Sequence, residues 1–258
     1  MTNLLLKGYP IGAIDGVLFD KDGTLSHSEP HLLHLAEERI QIALQLWKQS
    51  GQEQSQTTDL DQKLRRVWGV TPAGLDPASA LAIASRRDNL TSMATVLCLH
   101  GCNWPEAVAI STTSFESVDQ RLLSKPSINA LLPGVEPFLS MLQKAGLCRA
   151  IISNDTEAGI SSFLCDHGLT RLFDRCWSAD HSPSKPDPLA VIHLCRDLNL
   201  NPKRCVLIGD AETDLQMASS AGVGLVLGFV GGWAIPPRLP TAQHQFDNWR
   251  DLTVGPAT

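Results

Sequence analysis

No apolar run in this 258-residue chain approaches the roughly 18 residues that a membrane-spanning helix needs, and no basic leader precedes the short Leu4-Leu5-Leu6 run. A soluble, unsecreted, cytoplasmic protein without a membrane partner is expected. Positive charge is scarce as well: 21 Lys and Arg stand against 27 Asp and Glu, a formal balance of −6. Such a surface does not attract a phosphate backbone, so no nucleic-acid partner is expected. The seven cysteines are odd in number, contain no CxxC pair and lie in apolar surroundings, which reads as reduced core thiols. Cys98 and Cys102 are four apart, but no nearby His or second Cys pair completes a zinc site. Internal repeats and low-complexity tracts are also missing. What remains, 43% hydrophobic and 19% charged, is an ordinary globular composition. The length suits one large domain, or one core carrying a smaller unit.

Residues 14–19 form a short, mostly apolar run that ends at Asp20, and the chain then breaks at Gly23, as a buried strand with carboxylates at its end would. Leu32, Ala36, Ile40, Ala43 and Trp47 recur at helical spacing, with Ser28 and Pro30 suited to the first turn and Gly51 to the end. A polar loop is expected over Gln52–Asp59, then helical stretches over Asp59–Trp68, Pro77–His100 and Trp104–Ser124. After Pro126 the pattern alternates. Strands are expected at Cys148–Ile152, Arg175–Trp177, Arg204–Ile208 and Val223–Phe229, with helices between them at Glu157–His167, Pro188–Leu198 and Thr213–Ala221. Alternation of this kind predicts an α/β fold with a doubly wound parallel, Rossmann-like sheet. The core would comprise residues 1–25 and 130–258, interrupted after its first strand by an all-helical insert over 26–129.

Four polar signals follow four of these strands: Asp20-Lys21-Asp22-Gly23-Thr24, Ser153-Asn154, Lys185, and Gly209-Asp210-Ala211-Glu212-Thr213-Asp214. In an open parallel sheet the carboxyl ends of the strands face one edge, where ligands bind, so these residues are expected to converge. Asp20, Asp22, Asp210 and Asp214 would bring up to four negative charges into one crevice, and a divalent cation is the natural neutraliser. Carboxylates with waters and a substrate oxygen suit magnesium. Lys185 and the Ser153 hydroxyl complete a receptor for an anionic, oxygen-rich group such as phosphate.

In kind and order these residues resemble the motifs of the haloacid dehalogenase-like hydrolase superfamily. Asp20-Lys21-Asp22-Gly23-Thr24-Leu25 resembles its first motif, Ser153 its second, Lys185 its third, and Gly209-Asp210 with Asp214 its fourth. The resemblance implies Asp20 as a nucleophile that becomes an aspartyl-phosphate, and Asp22 as the acid and base that protonates the leaving alcohol and then activates water. It implies magnesium held by the Asp20 carboxylate, the Asp22 carbonyl and Asp210, with Asp214 in support. Phosphoryl oxygens would meet Ser153, the Asn154 N–H and Lys185, while Gly23 allows the turn and the Thr24 hydroxyl fixes it. Asp22 favours phosphate over halide chemistry, because a leaving halide needs no proton.

The insert resembles the helical cap of phosphoglycolate-phosphatase-like and β-phosphoglucomutase-like members, which closes over the crevice on hinges, here at Leu25–Glu29 and Ser124–Gly134. Arg86, Arg87 and the Gly69–Pro77 loop are its candidates for reading the organic part of a substrate. The expected activity is magnesium-dependent hydrolysis of a small phosphorylated metabolite, phosphoglycolate or a sugar phosphate. The alternatives are a β-phosphoglucomutase-like phosphomutase and a non-catalytic phosphometabolite-binding protein. By alternation Lys21 points away from the carboxylates. Ala211 stands where relatives often carry a hydroxyl, Glu212 sits in the first turn of a helix, and His27, His31 and His34 lie on a helix surface. Gly231-Gly232-Trp233, after the last strand, is read as a turn with a packed indole, with a border of the crevice as the alternative. The oligomeric state is open.

Overall fold

The computed structural model describes residues 2–51, 54–122 and 129–256. The chain divides into two compact units, Met1–Ser28 with Asn129–Thr258, and Glu29–Ile128. It opens with β1 (Thr2–Leu6), β2 (Tyr9–Ile14), β3 (Gly16–Phe19) and the two-residue β4 (Ser26–His27).

The second unit is helical: α1 (Glu29–Gln49), α2 (Thr57–Val67), a small hairpin of β5 (Val70–Thr71) and β6 (Gly74–Leu75), α3 (Ala80–Ile83), α4 (Arg86–Leu99) and α5 (Trp104–Leu122). α1 buries Ala36, Arg39, Ile40, Ala43 and Trp47, the stripe that its spacing predicts. The helix expected over 77–100 is broken. Ala84 and Ser85 are extended, and the Ser85 side chain accepts the N–H of Asp88, so an N-cap starts α4 afresh. Of the expected polar loop, residues 52–53 lie outside the described residues, Gln54–Gln56 form a 3-10 turn and α2 begins at Thr57. The end of the helix expected to reach Ser124, and residues 124–128 of the second hinge, also lie outside them. The unit packs around Trp47, Trp68 and Phe115, the last two ring to edge with centroids 5.9 Å apart. Their burial leaves no indole N–H unmet: Trp47 donates to the His100 carbonyl and Trp68 to Ser92 Oγ.

The chain returns with β7 (Ala130–Leu131), α6 (Val135–Lys144), β8 (Cys148–Ile152), α7 (Glu157–Asp166), β9 (Arg175–Trp177), α8 (Pro188–Asp197), β10 (Cys205–Gly209), α9 (Glu212–Ser220), β11 (Leu225–Phe229), β12 (His244–Phe246) and β13 (Leu252–Pro256). Five of these strands and β3 make one parallel sheet in the order β12-β11-β10-β3-β8-β9. Alternate residues of each strand serve opposite faces. Val17, Phe19, Ile151, Val206 and Ile208 enter one hydrophobic cluster, with Phe138 and Leu142 of α6 and Phe163 of α7. Leu18, Ala150, Ile152, Cys205 and Leu207 enter the other, with Val191 and Leu194 of α8 and Leu215 of α9. Helices on both faces explain why these strands read as continuous apolar runs.

The chain's two ends add what the sequence pattern did not reveal. β1 pairs antiparallel with β2 and with β13, forming a separate three-stranded sheet. Ile14, expected to begin the first core strand, belongs to this sheet, and Asp15 separates it from β3.

Candidate active site

β3 lies at the centre of the six-stranded sheet, and the chain leaves it toward β8 and β9 on one side and is joined by β10, β11 and β12 on the other. This is a topological switch point, where a crevice opens past the strand ends. Asp20 follows β3, Ser153 follows β8, and Asp210 follows β10. Register holds them level: the Asp20 N–H donates to the Ile208 carbonyl at 2.9 Å and the Ser153 N–H to the Trp177 carbonyl at 2.9 Å.

Asp20, Lys185 and Asp214 form a buried triad. Lys185 Nζ lies 2.6 Å from Asp20 Oδ1 and 2.6 Å from Asp214 Oδ2. Burial alone would lower the lysine pKa, but the two carboxylates outweigh it and hold the ammonium charged. Asp214, at the start of α9, is pushed up to about 6, chiefly by burial and then by the Asp20 charge, with Lys185 opposing both. Ser153 is buried, and its Oγ accepts the N–H of Asp155, which leaves the hydroxyl proton available to a ligand oxygen. Asn154 is half-buried beside it.

Lys21 does not point away from the carboxylates. Strand alternation ends at Asp20, because the Lys21 carbonyl accepts the N–H groups of Leu25 and Ser26 and closes a tight turn. The Lys21 ammonium is buried within that turn, 2.8 Å from the Asp22 carboxylate and 3.1 Å from that of Asp155. Ser28 donates to Asp22 Oδ1 at 2.5 Å and Ser26 at 3.3 Å. Burial would raise the Asp22 pKa, but Lys21 and these hydroxyls hold it below the ordinary carboxylate value.

Asp210 has the opposite environment. Its Oδ1 accepts from Thr24 Oγ1 at 2.8 Å and its Oδ2 from Trp233 Nε1 at 2.5 Å, both neutral donors. The Thr24 hydroxyl thus reaches across to Asp210 instead of fixing its own turn. Burial and the neighbouring Asp20 charge push the Asp210 pKa well up. Gly23, at φ +77°, allows the loops to meet: a Cβ there would lie 2.3 Å from Asp210 Oδ2 and 2.4 Å from Trp233 Nε1.

Among the described residues no three His, Cys, Asp or Glu groups converge into a ready-made metal cage. Asp214 is engaged by Lys185, and the Asp22 carboxylate by Lys21 and two serines. Asp20, engaged by Lys185 through Oδ1, and Asp210 offer two buried carboxylates on loops joined by the hydrogen bond of Thr24 to Asp210. That set fits magnesium, which binds through one or two carboxylates and keeps several waters. A buried carboxylate without a cationic partner among the described residues, as Asp210 is, is the feature such an ion would relieve.

In the helical unit Arg86 is committed to Asp119, with Nη2 to Oδ2 at 2.6 Å, while Arg87 is exposed. Arg39, which the sequence did not single out, shares Asp119 at 3.1 Å, and its guanidinium lies 4.0 Å over the Phe115 ring. Trp249 also went unnoticed: its indole donates to the Thr24 carbonyl at 3.1 Å, from within a cluster with Phe19, Phe138, Phe229 and Phe246. Glu212 does begin α9, and its carboxylate accepts from Thr241.

An open parallel sheet with carboxylates past β3 and β10, and a helical insertion after the first of them, defines a class of α/β hydrolases. The family model for haloacid dehalogenase-like hydrolases matches residues 14–222, and the chain belongs to that family. It is 29% identical over 224 residues to the phosphoglycolate phosphatase of Thiobacillus denitrificans, an alignment covering 84% of this chain and 83% of that one. It is 32% identical over 124 residues to the phosphoglycolate phosphatase of Psychrobacter arcticus, where only 46% of this chain and 53% of that one align. A crystal structure described as a predicted phosphoglycolate phosphatase from Haemophilus somnus superposes with a TM-score of 0.66 at 21% identity, covering 93% of this chain and 97% of that one. At that identity the superposition shows the fold, and α1–α5 correspond to the family's cap insertion. The family is typically metal-dependent. No helix among the described residues is long and apolar enough to cross a membrane.

Proposed function

We propose that this hydrolase is a magnesium-dependent phosphatase of a small phosphomonoester, of the phosphoglycolate or sugar-phosphate type, acting through an aspartyl-phosphate. The observation that carries the reading is the Asp20 carboxylate, buried at the end of the central strand. Its Oδ1 is held by Lys185 at 2.6 Å and its loop touches the uncompensated Asp210. The phosphoglycolate phosphatase relatives support the substrate class.

In the first half-reaction an Asp20 oxygen attacks phosphorus, the ester P–O bond breaks, and Asp22 delivers a proton to the departing alkoxide. In the second, Asp22 takes a proton from water, the water oxygen attacks phosphorus, and the Asp20 carboxylate leaves. Lys185, Ser153 and the Asn154 N–H receive the charge on the phosphoryl oxygens, where most phosphoryl-transfer catalysis resides. Magnesium, when bound by Asp20, Asp210 and the Asp22 carbonyl, neutralises charge on the transferring group. The ionised Asp22 held by Lys21 and Ser28 is in the state that deprotonates water. The first half needs it protonated, so Lys21 must loosen its hold before that step and regain it once the proton has been delivered.

Phosphate release from a panel of phosphomonoesters tests the proposal. Asp20→Asn is expected to abolish release while circular dichroism stays unchanged, and chelation is expected to do the same reversibly. Turnover that survives either treatment sinks the mechanism.

A further inference from the structure

Asp210 needs something to aim it. A carboxylate at a metal site binds well only when its rotamer is held, and the groups around the ligands do the holding. The next residue, Ala211, brings no hydrogen-bonding side chain, and α9 starts at it without a side-chain cap. The Thr24 hydroxyl meets Oδ1. The second oxygen is met by an indole 23 residues along the chain, with Trp233 Nε1 lying 2.5 Å from Oδ2.

The approach of that indole is built in. Residues 231 and 232 are both glycine, and neither could carry a side chain. A Cβ on Gly231 would lie 2.2 Å from the Asp247 carbonyl oxygen, and one on Gly232 only 1.8 Å from that of Gly23. The segment after β11 is thereby pressed against the loop that carries Asp20 and Asp22. Trp233 itself is buried, so its N–H has little access to water and its partner is the carboxylate. An indole N–H donates only, and cannot turn round to accept. It therefore permits one arrangement of Asp210, with a lone pair of each oxygen engaged and the other lone pairs left for a cation.

We infer that Trp233 is a positioning residue for the divalent-cation site, holding the Asp210 carboxylate in its metal-binding orientation through the indole N–H. The inference rests on the reading of Asp20 and Asp210 as magnesium ligands. Trp233 acts through Asp210, whose carboxylate its indole N–H meets.

The test is magnesium binding to the full chain by titration calorimetry, in wild type and in Trp233→Phe, which keeps an aromatic ring and removes the donor. Loss of a group that orients a metal ligand typically weakens binding by about 10- to 100-fold. A rise in Kd of that size is expected, with half-maximal phosphate release moving to correspondingly higher magnesium and the rate at saturating magnesium largely restored. A residue that only fills space would lower the saturated rate without moving the magnesium requirement. Should Trp233→Phe fold poorly, replacing Trp233 with 3-benzothienylalanine keeps the bicyclic shape and removes only the N–H, and the same rise is expected. Labelling with 5-fluorotryptophan gives a readout free of turnover: the fluorine resonance missing from Trp233→Phe should shift when magnesium is added to wild type. An unchanged Kd in both donor-less variants, or an unmoved resonance, overturns the role of Trp233 alone. Absence of magnesium binding in wild type overturns the metal reading and this inference with it.

Discussion

Asp22 and Asp210 belong to neighbouring loops, and their surroundings push them in opposite directions. Asp22 sits in a knot that contains its own counter-charge: Lys21 lies 2.8 Å away and two serine hydroxyls point at it. Asp210 is more buried, accepts from two neutral donors, and is crowded by the charge of Asp20. Lys185 stands between these extremes, its single positive charge shared by Asp20 and Asp214, with no ion pair from it to Asp210. On one side of the crevice the carboxylate thus has a counter-charge of its own, shared with Asp155, and on the other a bound cation would supply it. In the proposed mechanism the deficit at Asp210 is made up by the bound cation, whose charge opposes the rise in pKa that burial and Asp20 cause.

The comparison breaks most severely if the shared cation is removed. Lys185→Met leaves two buried carboxylates without a partner, and loss of one member of a buried ion pair typically costs about 3–5 kcal/mol. Chemical denaturation should show a loss of that order at pH 8 and a smaller one at pH 5, where Asp214, already raised to about 6, takes up a proton. An equal loss at both pH values would mean that charge is not what Lys185 contributes.

Next comes the side that lacks a cation. Asp210→Asn removes the repelling charge, and the amide fits its neighbours: its oxygen can accept from Trp233 while its nitrogen donates to a reversed Thr24 hydroxyl. Metal-free protein should become more stable by roughly 1–3 kcal/mol, in the range seen when buried charge is replaced. It should also lose the stabilisation by magnesium that wild type gains. A destabilised variant would show that Asp210 is structurally satisfied as it stands.

The two sides also predict opposite pH slopes. Asp22 has a lowered pKa, so its contribution is present above the ordinary value of 3.8 and is lost as pH falls through the folded value. Asp214, raised to about 6, does the reverse: its contribution is present below 3.8 and is lost as pH rises through about 6. Asp210 extends that loss to higher pH. Unfolding free energy of the metal-free protein should therefore fall between pH 4 and 7, and saturating magnesium should flatten the decline. A flat profile without metal would contradict the electrostatic account of Asp210 and Asp214.

The parts legible in the sequence are those governed by local rules. Apolar runs of four to six residues with breakers between them mark β3, β8 and β10, and the polar residues that follow mark the edge of the sheet where ligands bind. Lys21 escaped because strand alternation was carried one residue past Phe19, where the chain already turns. Trp233 and Trp249 escaped because a contact with residue 210 or 24 leaves no trace in spacing. The two glycines before Trp233 were the available signal, since paired glycines beside a tryptophan mark a close backbone approach as readily as a simple turn. The pairing of β1 with β13 was hidden for the same reason, the two strands being separated by almost the whole chain.

The mildest prediction sharpens the Asp22 side. Ser28→Ala deletes one of the hydrogen bonds that favour the ionised carboxylate and leaves Lys21 in place. The loss in stability should be about 1 kcal/mol, the usual worth of one such bond. With less stabilisation of the anion, the Asp22 pKa should rise, and the acidic limb of the profile of phosphate release against pH should move upward by a fraction of a unit. Lys21→Met should move it further in the same direction, since the ammonium is the strongest of the influences that lower this pKa. If both variants leave the acidic limb where it is, the group that titrates there is not Asp22, and the proton transfer belongs to another residue.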